Sequence, residues 1–462
     1  MMLKKQSYAS ALATCSLMLI LLFSACKPEV QTPTPPAALV VKTFDSKVVQ
    51  QWNNLFLDVE RYATVYRPCP AARALGYMGW AAYESCVAGM PDYQSLANLH
   101  PALRLPSAET GATYNWPLVV NSVYATMFKK FFANVQPTDL FKIATLETSI
   151  SNQLRVGLAA DVTTRSEDYG KRVAEAVYAF SATDTVTHDK YLNPRPSNYT
   201  PPVGPGKWKV TAPGNQAAMF PYWGGGRMFA LKDAEKTARP PLAYSEDKNS
   251  PYYTQMLEVY STTSPQTSEG RWIAEFWSDD VLGFTFSPPS RWIAILNQVL
   301  SKDKVNLETA VFAAAKVGLA LNDASVACWH SKFYYNTERP VSYIAKNINP
   351  TWNVLNLTTN SFLGSTPSFP GYPSGHSTFG AAAAEALVSV FGSHYTLTDR
   401  CHEGRTDFEG SRPRTFESFY DMAVENAYSR IPLGVHTRQD CEEGLRLGYV
   451  VGRRVSQLPF KK

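Results

Sequence analysis

Apolar positions recur at three- and four-residue steps through most of this chain. Val48, Val49, Trp52, Leu55, Phe56, Val59, Tyr62, Ala63 and Tyr66 form one such stripe, which predicts a helix with a single buried face. Pro70 opens a second run, to about Ala88, rich in alanine, glycine and aromatics. Further helical runs cover about 116–134, 138–158, 165–182, 251–261, 269–277, 289–300 and 306–338, and a last group covers 376–391, 415–430 and 437–455. Prolines punctuate the gaps. No alternating strand pattern persists, so the expected fold class is all-α: a helical bundle joined by long irregular loops rich in proline and aromatics.

The segment 185–250 departs from this pattern. It carries nine prolines between Pro194 and Pro241 and the triplet Gly224-Gly225-Gly226. Long loops in compact domains are functional or disordered. Here Tyr191, Tyr199, Trp208, Phe220, Tyr222 and Trp223 favour packing, so the segment reads as a cover over the helical core near a site entrance. The glycine triplet reads as a turn in preference to an anion cradle.

The first residues read as an address. Lys4 and Lys5 precede an apolar run from Ala9 to Ala25, and Leu22-Phe23-Ser24-Ala25-Cys26 resembles a lipoprotein signal peptidase site, with Phe23 in place of the usual aliphatic. The expected organisation is a signal peptide over 1–25, acylation of Cys26, a Pro-rich tether over 26–44, and a single α-helical domain over 45–462. The protein is then exported and held by lipid on the periplasmic or cell-surface side of a membrane. The best candidate for a spanning helix, Thr309 to Trp329, contains Lys316 and Asp323.

Composition narrows the function classes. The formal charge of +5 in 462 residues gives a nucleic-acid role no support. Beyond Cys15 and Cys26, five cysteines remain, an odd number that allows at most two disulfides. Their spacing lacks any CxxC or HxxxC cluster, so a cysteine-bound metal is not expected.

Chemistry concentrates near the C-terminus. In the first of three segments, Lys332 and Arg339 stand seven residues apart, about two helical turns, which puts both cations on one face with Trp329 three residues earlier. A planar fork and a point charge together suit an oxyanion, although such a pair is ordinarily a solvated surface. In the second, Pro373-Ser374-Gly375-His376 precedes an alanine-rich run. Ser374 there is an N-cap, and the free amides of a helix start also favour an anion, with Gly375 allowing close approach and His376 on the first turn. In the third, Ser429-Arg430 and His436 flank a turn made by Pro432 and Gly434, with Asp440 one turn after His436. Asp440 either caps the helix or takes the proton of the imidazole nitrogen turned away from a ligand.

Together the segments read K-x6-R-P, P-S-G-H and S-R-x5-H-x3-D, eleven positions in order. This pattern resembles the signature of the type 2 phosphatidic acid phosphatase and vanadium haloperoxidase superfamily. The resemblance covers about 323–441 at the level of motifs. Four features favour the haloperoxidase branch. The superfamily's lipid phosphatases are multi-spanning membrane proteins, and its soluble bacterial acid phosphatases are much shorter. Phe369-Pro-Gly-Tyr-Pro-Ser-Gly-His376 is similar to the extended haloperoxidase motif. Trp329 stands three residues before Lys332, as in the bacterial exported members. Ile273 to Asp280 is similar too, less specifically.

The resemblance implies a haloperoxidase-like helical bundle and an enzyme that oxidises halide, iodide or bromide in preference, with hydrogen peroxide to a hypohalous acid equivalent. It implies one vanadate, bound through His436 and held by Lys332, Arg339, Ser374, the Gly375 amide and Arg430. His376 handles proton transfers, Lys332 polarises peroxide, Asp440 orients His436, and Trp329 and Phe369 line a halide pocket or are simply core. Asp279, Asp280 and Asp323 are candidate partners of Arg430. An organic acceptor and a homo-oligomer also fit this reading, since family members commonly associate. Two alternatives stand beside it. One is a phosphomonoesterase with a phosphohistidine at His436, because in-line phosphoryl transfer passes through the same five-coordinate shape. The other is a non-catalytic surface lipoprotein that captures oxyanions.

Overall fold

A computed structural model describes residues 40–212, 214–279, 281–354, 366–406 and 409–462, all within one compact unit, Ala38–Lys462. The signal peptide, Cys26, most of the tether and Asp280 lie outside the described residues.

The helices in chain order are α1 (Lys47–Tyr62), α2 (Cys69–Cys86), α3 (Trp116–Phe131), α4 (Pro137–Leu154), α5 (Ala160–Ala182), α6 (Pro251–Thr263), α7 (Ser268–Phe276), α8 (Pro288–Lys302), α9 (Leu307–Tyr335), α10 (Pro340–Asn347), α11 (Gly375–Phe391), α12 (Phe419–Tyr428) and α13 (Arg438–Ser456). The all-α reading holds. The periodic stripe of α1 buries Trp52, Phe56 and Val59 as one face. Proline stands at the first turn of six of these helices, among them α2, α3 and α8, where its missing N–H costs nothing.

Helix α9 is the axis. The Asn306 side chain caps it by accepting from the Thr309 amide at 2.9 Å. It is long and apolar enough to cross a membrane by length and composition alone, yet its apolar window is wholly buried among α2, α8, α11 and α13. Within it, Asp323 is a buried carboxylate that accepts the amides of Phe229, Ala230 and Leu231 at 2.8, 2.8 and 3.0 Å. Asp323 therefore anchors the Pro-rich cover and is not a partner of Arg430.

That cover packs tightly. Gly224 lies so close to α9 that a Cβ there would fall 2.3 Å from His330 Cα. The triplet is thus a backbone-to-helix contact and not an anion cradle. The five described cysteines, Cys69, Cys86, Cys328, Cys401 and Cys441, are all free thiols.

Three local expectations change. Helix α9 stops at Tyr335, three residues before the expected end, because Asn336 turns left-handed (φ 51°) ahead of Pro340. Helix α10 follows where no helix was expected. Within the expected 393–413 loop and the start of the expected 415–430 helix, Leu397–Asp399 (β1) pairs antiparallel with Arg414–Phe416 (β2). Three-residue strands leave no alternation to read, and their pairing is long-range.

The site depends on how closely α13 sits on α11. Gly444, Gly448 and Gly452 form a stripe at four-residue spacing along α13. A Cβ at these positions would fall 2.8 Å from Ser374 O, 2.4 Å from Thr378 O and 2.7 Å from Ala382 O. Helix propensity alone would make alanine at Gly448 stabilising by about 1 kcal/mol. Crowding against a backbone carbonyl costs about 1–3 kcal/mol and should win. We expect Gly448→Ala to lower the urea midpoint, while Gly214→Ala, with open space around it, leaves the midpoint in place. Equal midpoints would mean that α11 and α13 can separate freely.

Candidate active site

Helix starts and one helix end converge at the site. The last turns of α9 carry Trp329 and Lys332. Beyond the Asn336 turn, Arg339 is the extended N-cap residue of α10. Lys332 and Arg339 therefore do not share a helix face, and the chain reversal at Asn336 brings them together instead. Ser374 caps α11, its oxygen accepting from the Ser377 amide at 3.4 Å, and Gly375 and His376 form the first turn. Arg430 lies in the turn after α12, which ends at Tyr428. His436 precedes Thr437, the N-cap of α13. The Ser374 amide donates to Asp440 O at 2.9 Å, joining the starts of α11 and α13.

His436 is held at both nitrogens. Nδ1 lies 3.0 Å from Asp440 Oδ2, and Nε2 lies 3.2 Å from Arg339 Nη1. A guanidinium can only donate, so Nε2 presents a lone pair and Nδ1 carries the proton to Asp440. Asp440 Oδ2 also accepts the Thr437 amide at 3.1 Å, so the helix cap and the imidazole share one oxygen. Both readings of Asp440, cap and orienter, hold at once. Burial, then Arg339, pushes His436 well below its ordinary value, which keeps it neutral. Burial also pushes Asp440 up, against the Thr437 amide and Lys332.

The cations are fully buried. Arg339 Nε donates to Phe369 O at 3.1 Å and Nη1 to Val435 O at 3.1 Å, while Nη2 has no partner among the described residues. Burial pulls Arg339 down to about 9, which leaves it charged at neutral pH. Arg430 Nη1 donates to Trp277 O at 3.0 Å. Lys332 Nζ donates to the carbonyls of Pro370, Gly371 and Pro373 at 3.0, 2.8 and 2.6 Å. These bonds occupy all three ammonium protons, so Lys332 ties down the loop leading into α11. To reach an anion it must exchange a carbonyl. Burial, with Arg339 nearby, pulls Lys332 down to about 7.

A cavity of about 310 Å³ opens onto this cluster. His376, His436, Arg430, Gly375, Trp329 and Phe369 line it, whereas Lys332, Arg339, Ser374 and Asp440 stand behind its wall. A Cβ at Gly375 would make only an ordinary 3.8 Å contact with Trp329, so glycine here leaves room in the cavity and relieves no clash. The Trp329 and Phe369 rings pack at 4.9 Å and 54°. Their core role and their place on the cavity wall coexist. His376 bonds to the Asp279 backbone, and its Nε2 is buried without a partner among the described residues. Burial, then Arg430, holds it well below its ordinary value.

Asp279 lines the same cavity, pushed up to about 7 by burial against Arg291 and Arg430. Of the two candidate carboxylates among the described residues, Asp279 lies near Arg430 and Asp323 does not; Asp280 lies outside the described residues. Sequence reasoning missed the other partner of Asp279. Arg291 of α8 is fully buried, 2.7 Å from Asp399 and 3.4 Å from Asp279, with its guanidinium 4.4 Å from the Trp277 ring. The signal was available: one arginine inside the apolar run Trp292-Ile293-Ala294-Ile295-Leu296 that follows it.

A helical bundle that buries a cation cluster around a neutral His–Asp pair defines the class of site. Residues 311–459 match the model of the VCPO second helical-bundle domain. Vanadium chloroperoxidase of Curvularia inaequalis is 23% identical over 501 residues, covering 88% of this chain and 81% of the relative. The crystal structure of the first bacterial vanadium-dependent iodoperoxidase superposes with a TM-score of 0.77 at 26% identity, covering 90% of this chain and 96% of that one. A holo-type bacterial vanadium-dependent chloroperoxidase shares the fold, with a TM-score of 0.64 at 15% identity over 85% and 92% of the two chains. Residues 311–459 thus match the vanadium chloroperoxidase family model, and the relatives and solved structures that the chain resembles are vanadium haloperoxidases, which are oxidoreductase enzymes.

Buried neutral histidines make stability pH-dependent, His376 and His436 in the site and His402 beside Arg291. The unfolded chain binds protons below the ordinary histidine value of 6.5, and native His376 and His436 do not. Stability therefore falls as pH falls through that value, by up to about 1.4 kcal/mol per pH unit for each histidine. Urea unfolding followed from neutral to mildly acidic pH should show a shallower loss in His376→Gln than in wild type. Parallel curves would locate the titration elsewhere.

Proposed function

We propose that this protein is a vanadate-dependent haloperoxidase that uses hydrogen peroxide to oxidise halide to a hypohalous acid equivalent. The observation that carries this reading is uncompensated buried charge. Lys332 and Arg339 are fully buried beside one committed carboxylate, Asp440, which already holds His436 and the Thr437 amide. Burying cations without counter-charge is costly, and a resident oxyanion relieves it. The donor set fits vanadate: Arg339 Nη2 and His376 Nε2 are buried and unsatisfied among the described residues, and the His436 Nε2 lone pair, which accepts from Arg339 Nη1, would pass to the metal.

Arg430 and the Gly375 amide would hold the oxyanion from the cavity wall, Arg339 and the Ser374 hydroxyl would add donors from just behind it, and His436 Nε2 would be the ligand. When bound, vanadate supplies a pentavalent Lewis acid that activates peroxide toward halide. Asp440 holds the Nδ1 proton of His436, which fixes the tautomer and raises the basicity of Nε2. His376 Nε2, neutral and facing the cavity, accepts a proton from incoming peroxide and returns it to the departing product. Lys332 adds charge from behind the wall and positions the loop before α11. Trp329 and Phe369 keep the halide's approach apolar and exclude water. Iodide and bromide are favoured, because they are easier to oxidise than chloride and because the 26%-identical structural relative is an iodoperoxidase.

Loading with orthovanadate, then adding peroxide with iodide or bromide, should halogenate a reporter dye. His436→Ala should abolish both vanadate binding, followed by calorimetry, and halogenation; undiminished halogenation would sink the assignment. Arg339→Ala and Arg430→Ala should weaken vanadate binding about ten- to a hundredfold while keeping a cooperative unfolding transition. Fast turnover of an aryl phosphate without vanadate, and no halide oxidation with it, would instead identify a phosphomonoesterase. Tight anion binding without either activity would identify an oxyanion-capturing protein.

We also propose export as a lipoprotein, from the signal-like segment before Cys26. Mass spectrometry of the membrane fraction should find Cys26 acylated and at the N-terminus. An unmodified Cys26 would refute this.

A further inference from the structure

The cavity has a second cation, at its open end. Its floor is buried, carrying His376, His436 and Arg430, whereas Gly214 and Gln216 on its rim are exposed. Arg195, from the Pro-rich cover, stands at this rim half-buried. Its Nη2 donates to the Gln216 side chain and to Ser368 Oγ at 3.1 Å. Its Nε is buried with no hydrogen-bond partner among the described residues. No carboxylate of the described residues pairs with it, and burial alone lowers its pKa.

The rim is well built. The Met219 amide donates to Ser368 O at 2.8 Å, and the Thr211 and Thr366 hydroxyls lie 2.9 Å apart, so the cover is fastened to the segment leading to Phe369. A charge held in place by neutral groups, with its Nε–H buried and unpartnered, is a receiving site for an anion. Both bidentate edges of the guanidinium, Nε–Nη2 and Nη1–Nη2, use Nη2, whose two protons go to Gln216 and Ser368, so the remaining N–H groups suit a spherical monovalent anion better than a carboxylate. Guanidinium is weakly hydrated, which matches a large, polarisable halide.

We propose that Arg195 forms a halide-receiving site at the mouth of the cavity, where the anion loses part of its hydration before reaching the floor. The proposal deepens the haloperoxidase reading and rests on it for the identity of the anion.

Bromide diffused into crystals of vanadate-free protein should give an anomalous peak beside Arg195, lost in Arg195→Gln. In the vanadate-loaded enzyme the same variant should raise the KM for halide roughly five- to tenfold, with kcat and the KM for peroxide within about twofold. Arg195→Lys, which keeps the charge, should recover part of the loss. An unchanged halide KM overturns the proposal, and so does a peroxide KM that rises in step, which would mark a distorted rim. A peak seen only at near-molar bromide, binding at crystal concentration only, also overturns it. If wild type oxidises no halide at all, the haloperoxidase reading fails, and the bromide peak by itself still decides whether the anion site exists.

Discussion

The close seating of α13 on α11 governs the rest of this molecule. Two helix starts cannot share a hydrogen bond, as Ser374 and Asp440 do at 2.9 Å, unless their backbones approach within the reach that Gly444, Gly448 and Gly452 allow. That approach sets His436 and Asp440 beside the first turn of α11. It also concentrates the positive ends of both helices on one volume.

Charge then shapes what this volume can be. Arg291 is compensated by Asp399 and Asp279, and it packs on Trp277 and Phe276. The neighbouring cluster is not: Arg339 keeps an unpartnered Nη2 and Lys332 leans on carbonyl dipoles. Arg291 is held by carboxylates, whereas Lys332 and Arg339 are held chiefly by backbone carbonyls. Burial alone does not distinguish them, because all are nearly inaccessible; the count of nearby carboxylates does.

The Pro-rich cover links fold and site. Asp323 ties its backbone to α9, Gly224 presses it against His330, and Arg195 carries it to the rim of the cavity. Its irregularity is therefore that of a fitted wall. A chain with so few charges and so many aromatics can build such a wall because each aromatic fills space between helices that no regular element covers.

Helical periodicity and the eleven motif positions were legible in the chain, because each is a local property: an apolar stripe, a cap before an alanine run, a histidine four residues from an aspartate. Those local properties were enough for the all-α class and for the resemblance to vanadium haloperoxidases. Tertiary structure decided everything that depends on distant pairing. The left-handed turn at Asn336 separated Lys332 from Arg339 along the helix and reunited them in space. The small β1–β2 ladder, the Asp279–Arg291–Asp399 network and the position of Arg195 arise between segments roughly a hundred residues apart or in elements too short to carry a period. Sequence by itself determined which groups can bind an oxyanion. Only packing decided which of them face the cavity, which stand behind its wall, and which have already spent their donors on the protein's own backbone.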